Sequence, residues 1–190
     1  MQKNERTYWK MTLPSKYKWL ETIQDRPWLI DEALKLYGTM EIAGNGNNQT
    51  IINWAKELGG WEANYYTKDS IPWCGLFAAI VCKRAKKTVV KNYLRALSWS
   101  SWDKPISDKE VGLGDILVFN RNGGGHVGFY VAEDATAYHV LGGNQSDKVS
   151  IARIAKSRLY SCQRANYRVM PSSVKKYYID AAGTLSTNEA

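Results

Sequence analysis

Ile71-Pro72-Trp73-Cys74-Gly75-Leu76-Phe77-Ala78-Ala79-Ile80-Val81 is the stretch whose reading decides the fold. Proline keeps the residue before it out of the α region, so the chain reaches Trp73 extended and then turns into a helix. The run that follows is apolar on several faces, which predicts a buried central helix over 74–84. Cys74 then stands at the helix N-terminus, where free N–H groups and the helix dipole favour a thiolate. Lys83, Arg84, Lys86 and Lys87 gather at the other end, where positive charge suits the dipole and solvent.

Most cysteines are small buried hydrophobes, so a nucleophile needs a partner base. The chain has 2 histidines. His126 follows Gly123-Gly124-Gly125 and opens a strand-like run, at a sheet rim that glycines leave accessible. His139 lies inside Tyr138-His139-Val140, either exposed or facing the same groove from a neighbouring strand. His126 is therefore the expected base, and His139 a candidate for orienting it. The third member must accept a bond from the second ring nitrogen. Asn144, Asp147, Asp134 and His139 are available, and the return of the chain after Leu141 favours Asn144, with Asp147 next. Gln145 is expected to contact substrate or brace its loop. Trp73, Asp69, Asn48 and Glu41 are expected to line the site, Glu41 and Asn48 from a Gly- and Asn-rich rim segment. Asp115 reads as a structural brace at a strand start.

Around this centre, helices are expected over 27–37, 50–58 and 89–97, with Gly38 and Gly59-Gly60 as stops. Strands are expected over 116–119, 126–131, 137–141, 148–154 and 159–169, with 120–125 as a glycine-rich hairpin loop. Trp61, Tyr65 and Tyr66 read as core fillers or groove lining. Helices followed by short strands predict an α+β fold, a helix packed on a five- to six-stranded antiparallel sheet. The expected organisation is an arm over 1–26, one domain over 27–170 and a flexible tail over 171–190.

The bulk numbers agree with one domain: 190 residues, 44% apolar, formal charge +8. The charge favours an anionic partner without naming it. Cationic residues are dispersed and no nucleic-acid recognition motif is present, so nucleic acid is not the expected partner. The 3 cysteines lack a C-x-x-C pair, which disfavours structural zinc; Cys82 with Cys162 is the one pairing left open. No secretory signal is legible in 1–10 and no apolar run approaches a membrane span, which predicts synthesis in a cytoplasm.

Ile71-Pro72-Trp73-Cys74-Gly75-x-Phe77, Gly112-x-Gly114-Asp115-Ile116-x-Val118-Phe119, Gly125-His126-Val127-Gly128-Phe129-Tyr130 and Leu141-Gly142-Gly143-Asn144-Gln145-Ser146, in that order, resemble the CHAP-like branch of the NlpC/P60 superfamily. The blocks Pro27-Trp28 and Glu41-Ile42-x-Gly44 with Asn48 match its opening segment, and the resemblance covers 27–168. It implies a papain-like α+β fold whose cysteine opens the central helix. It also implies cleavage of amide bonds in bacterial peptidoglycan, as an endopeptidase or an N-acetylmuramoyl-L-alanine amidase, through a thioester. By position, Cys74 is nucleophile, His126 base and Asn144 the polar third residue, with His139 keeping a claim because relatives use a second histidine there. No metal or cofactor is implied. The expected protein is a monomer that meets the wall after phage lysis or delivery by a secretion machine, in the latter case with an immunity protein as partner. The rival readings are a cysteine-dependent acyltransferase or protein-directed peptidase, and a non-catalytic wall-binding module.

Overall fold

The computed structural model describes residues 12–180 and 183–188. Residues 1–11, 181–182 and 189–190 lie outside it, including the first part of the predicted arm and part of the predicted tail.

Among the described residues five α-helices precede the sheet: α1 (Trp19–Thr22), α2 (Trp28–Lys35), α3 (Gln49–Leu58), α4 (Glu62–Tyr65) and α5 (Cys74–Arg84). Pro27 leads into α2 with its ring preset for a first turn, and an Arg26–Asp31 ion pair at 2.6 Å fixes the corner. Asn48 caps α3 by accepting the Thr50 N–H at 2.9 Å. Gly59, at φ 78°, ends it. Residues 74–82 of α5 are all buried, as a helix apolar on every face requires.

Six strands form one antiparallel sheet: β1 (Lys104–Ile106), β2 (Ile116–Arg121), β3 (Gly124–Glu133), β4 (Ala137–Gly142), β5 (Ser150–Ala155) and β6 (Leu159–Arg164), in the order β1-β6-β2-β3-β4-β5. The class is therefore α+β. Alternation along the strands divides the core. Ile116, Val118, Val127, Phe129 and Val131 join the cluster built around α5. Leu117, Tyr130, Tyr138 and Val140 form a second cluster with Val111 and Ile154. Phe77 of α5 meets Phe129 of β3 edge to face, centroids 6.0 Å apart.

Four expectations change. No helix covers 89–97: Asn92 sits at φ 55°, and a 3-10 helix, Ala96–Ser101, follows. The cause is the pair of buried indoles beyond it. Trp99 donates to the Tyr93 carbonyl at 3.0 Å and Trp102 to the Thr88 carbonyl at 2.8 Å, acceptors that an α-helix would have taken into its own ladder. Strand β1 is not among the expected strands because it is short and contains Pro105, which an edge strand tolerates. The 120–125 loop shrinks to a tight turn, since β2 and β3 pair as far as Arg121 and Gly124. The 171–180 part of the predicted tail is ordered against the domain. Leu113 N–H donates to the Lys175 carbonyl at 3.1 Å, Glu133 N–H to Tyr177 at 2.9 Å, and Ile179 N–H to Glu133 at 3.1 Å. Gly112 makes room for it; a Cβ there would lie 2.7 Å from the Lys175 nitrogen. Main-chain pairing of this kind leaves little trace in side-chain pattern.

Upstream, Leu13, Tyr17 and Leu20 are buried in the core, so 12–26 packs on the domain. Of the three aromatics ahead of Cys74, Tyr66 is buried while Trp61 and Tyr65 are more than half exposed. Cys82 and Cys162 are free buried thiols. Among the described residues no helix is long and apolar enough to cross a membrane.

Gly75 carries the seating of α5: a Cβ there would run into the Tyr93 carbonyl and lie 2.9 Å from the Leu94 carbonyl, both backbone atoms. Gly75→Ala is expected to lower stability by about 2 kcal/mol in urea unfolding. Unchanged stability would show that the 93–94 segment yields freely.

Candidate active site

Cys74 is the first residue of α5 and is 3% exposed. Its sulfur lies within reach of the Val127 backbone N–H on β3, and of the Gly75 and Cys74 N–H groups at the helix head. Val127 immediately follows His126 on strand β3. His126 is fully buried and pairs with Phe119 across the β2–β3 ladder.

The ring of His126 is held by Gln145. Its Oε1 lies 3.1 Å from His126 Nε2. Its Nε2 donates to the Ser150 carbonyl at 2.6 Å and to the Val140 carbonyl at 3.2 Å. Both backbone groups are acceptors only, so the amide can point only its NH₂ at them. Oε1 then faces the ring, and His126 must donate through Nε2–H. The neutral imidazole is thereby fixed in one tautomer, with the basic lone pair on Nδ1.

This revises the third residue. Asn144 was expected at the ring, and the structure gives that bond to its neighbour. The turn is the reason. Asn144, Ser146 and Asp147 have φ of 57°, 53° and 61°, and this winding sends successive side chains to different sides. Asn144 is buried at the start of the turn. Asp147 is exposed, and its carbonyl accepts from the Glu41 N–H at 2.9 Å. His139 does not orient His126. It is fully buried elsewhere, with Nδ1 2.6 Å from Tyr17 Oη and Nε2 3.0 Å from Asp134, which Arg153 also holds at 2.8 Å. That chain ties the residues around Tyr17 to β4 and β5.

The double glycine was the sequence signal for Gln145. A Cβ on Gly142 would lie 2.8 Å from Gln145 Oε1 and 3.1 Å from His126 Nε2. A Cβ on Gly143 would lie 2.8 Å from the Trp73 ring. One glycine clears space for the ring–amide pair and the next for the indole of Trp73.

The predicted rim splits by role. Glu41 reaches the site: its Oε1 accepts the Trp73 indole N–H at 2.7 Å. Burial pushes its carboxyl above the usual range, with Asp147 and Asp69 adding to the rise and the Trp73 bond opposing it. Asp69 and Asn48 act as braces. Asp69 accepts the Ile42 and Asn48 N–H groups at 3.0 and 2.7 Å, and Asn48 caps α3. Asp115 is a brace as well, paired with Arg164 at 2.6 Å and with the Gly112 N–H at 2.7 Å.

Burial dominates the thiol. It pushes Cys74 above its ordinary value, against the Val127 N–H, the charge of Arg121 and the N–H groups of the helix head. Desolvation thus opposes the thiolate expected from the helix position. Comparison with protein-family models and with curated proteins finds no match to this chain.

Two outcomes follow from this geometry. Iodoacetamide labelling of Cys74 should climb with pH above the range of an ordinary thiol, because the raised value keeps the proton on until more alkaline conditions; a rate already flat in mild acid would indicate a resting ion pair. Gln145→Ala should change that pH profile more than Asn144→Ala does, and the reverse order would return the ring to Asn144.

Proposed function

We propose that the chain is a peptidoglycan amide hydrolase, an endopeptidase or an N-acetylmuramoyl-L-alanine amidase, with Cys74 as nucleophile and His126 as base in a papain-like arrangement. The observation that carries the chemistry is the His126–Gln145 bond, which makes Nδ1 the basic nitrogen of the neutral ring, on the residue before the Val127 N–H that favours the Cys74 thiolate. The substrate class rests on the ordered motif resemblance around Cys74, His126 and Gly142–Gly143, and the net charge of +8 suits a wall rich in anionic polymer.

The proposed reaction begins with the neutral pair. Nδ1 of His126 takes the Cys74 proton as the sulfur attacks the amide carbonyl, so charge separates only when substrate is in place. Backbone N–H groups at the head of α5 are placed to receive the developing oxyanion. The tetrahedral intermediate collapses to a thioester as His126 returns the proton to the departing amine. Water, deprotonated by the same nitrogen, then attacks the thioester; the carboxylic acid product leaves and the thiol is restored. Gln145 accepts the Nε2–H throughout and stabilises the imidazolium through its carbonyl dipole. Trp73, held by Glu41, walls the site beside the sulfur.

Purified protein should release new amine and carboxyl ends from peptidoglycan, with mass analysis of the fragments identifying the bond. Cys74→Ala should lower the rate by at least about 10³-fold, with the folded state intact by circular dichroism. Cleavage persisting in Cys74→Ala would remove the nucleophile. Products in which the acyl group sits on an added amine would reassign the chain to acyl transfer.

A further inference from the structure

The turn that carries Gln145 is strained and is held from outside as well as from beneath. Asn144, Ser146 and Asp147 all adopt left-handed backbone, which costs on the order of 1 kcal/mol per residue and least for Asn and Asp. Ser146 is the least suited of the three. Its N–H is the one that donates to the Asn188 carbonyl, at 2.9 Å. The same C-terminal segment runs along β5, the open edge of the sheet. Ser186 N–H donates to the Arg153 carbonyl at 2.7 Å, Arg158 Nη1 to the Ser186 carbonyl at 3.3 Å, and Arg153 Nη1 to the Gly183 carbonyl. Residues 183–188 thus bridge strand β5 to the Gln145 turn.

The inner attachments of Gln145 come from that same strand pair. Its side chain hangs from Val140 of β4 and Ser150 of β5, its N–H donates to the Lys148 carbonyl at 3.0 Å, and Ser150 Oγ donates back to its carbonyl at 3.3 Å. The outer segment is attached by polar bonds rather than apolar burial; Leu185 is 43% exposed. Such a segment belongs to the least stable part of a fold and detaches before the core opens.

We propose that residues 183–188 form a positioning strap: by holding the strained turn at Ser146 and the edge of β5, they keep the Gln145 carbonyl on His126 Nε2 and so keep the ring in its reactive tautomer. The strap touches no reacting atom. This inference rests on the proposed function only for its effect on rate, and its direct readout is the ring itself.

Ser186→Pro in the full chain removes the N–H that pairs with Arg153, and a chain ending at Gly183 removes the bond to Ser146 as well. Nitrogen-15 imidazole spectra are simple here because the chain has 2 histidines. His126 should give the Nε2–H pattern in the unaltered protein. In both variants its nitrogen shifts should move toward the averaged values of mixed tautomers, and by more than those of His139, whose partner Asp134 is joined to the same segment through Arg153. Peptidoglycan cleavage should lose about tenfold in kcat with KM little changed, and Ser186→Pro should add nothing in a Gln145→Ala background. Unmoved His126 signals in both variants overturn the strap, and so do equal shifts at both histidines, which would signify general loosening. Absence of cleavage by the unaltered protein would remove the proposed function alone and leave the tautomer result to decide the strap.

Discussion

The head of α5 can lie against β3 only because the side chains that would separate them are missing. Gly75 admits the 93–94 carbonyls to the helix backbone, and Gly143 admits the Trp73 ring and Phe77 beneath the turn after β4. Phe77 then reaches Phe129, and the Cys74 sulfur reaches the Val127 N–H. Helix, strand and turn are thereby fixed relative to one another by contacts that a single methyl group would disturb. The position of the thiol is a consequence of packing, and its chemistry inherits the cost of that packing.

That cost is desolvation. A sulfur on a residue only 3% exposed has little water to support a negative charge, and burial outweighs the N–H groups at the head of the eleven-residue helix. The site answers with a ring whose Nε2–H is held by an amide carbonyl. Gln145 is well suited to this task. A carboxylate at the same place would favour the imidazolium at rest, whereas an amide carbonyl accepts the N–H without a full charge. The amide also reports its own orientation, because two backbone carbonyls can be satisfied only by its nitrogen.

What could be read from residues alone follows the same division. The Pro72–Trp73 lead and the apolar run specify α5 and the place of Cys74 locally, and the triple glycine before His126 marks the start of a strand. These signals lie within a few residues of what they predict. The 89–97 segment failed because its fate is settled by Trp99 and Trp102, which take its carbonyls. The 171–180 segment failed because its partners are backbone groups some forty to sixty residues away, at Leu113 and Glu133. Choosing between Asn144 and Gln145 required the winding of the turn, which depends on three non-glycine residues at positive φ that composition does not announce. His139 looked available because alternation in a strand cannot reveal that Tyr17 packs on it from the other end of the chain.

The most direct measurement is the covalent state of Cys74 during turnover. The protein mixed in excess with a defined peptidoglycan fragment, quenched in acid within the first proposed turnover and digested for mass spectrometry, should yield the Cys74 peptide carrying the mass of the acyl half of the fragment. That adduct should rise before the carboxylic acid product and decay with it. Product appearing with no acylated Cys74 peptide at any time, or with the acyl group on another residue, would contradict the account.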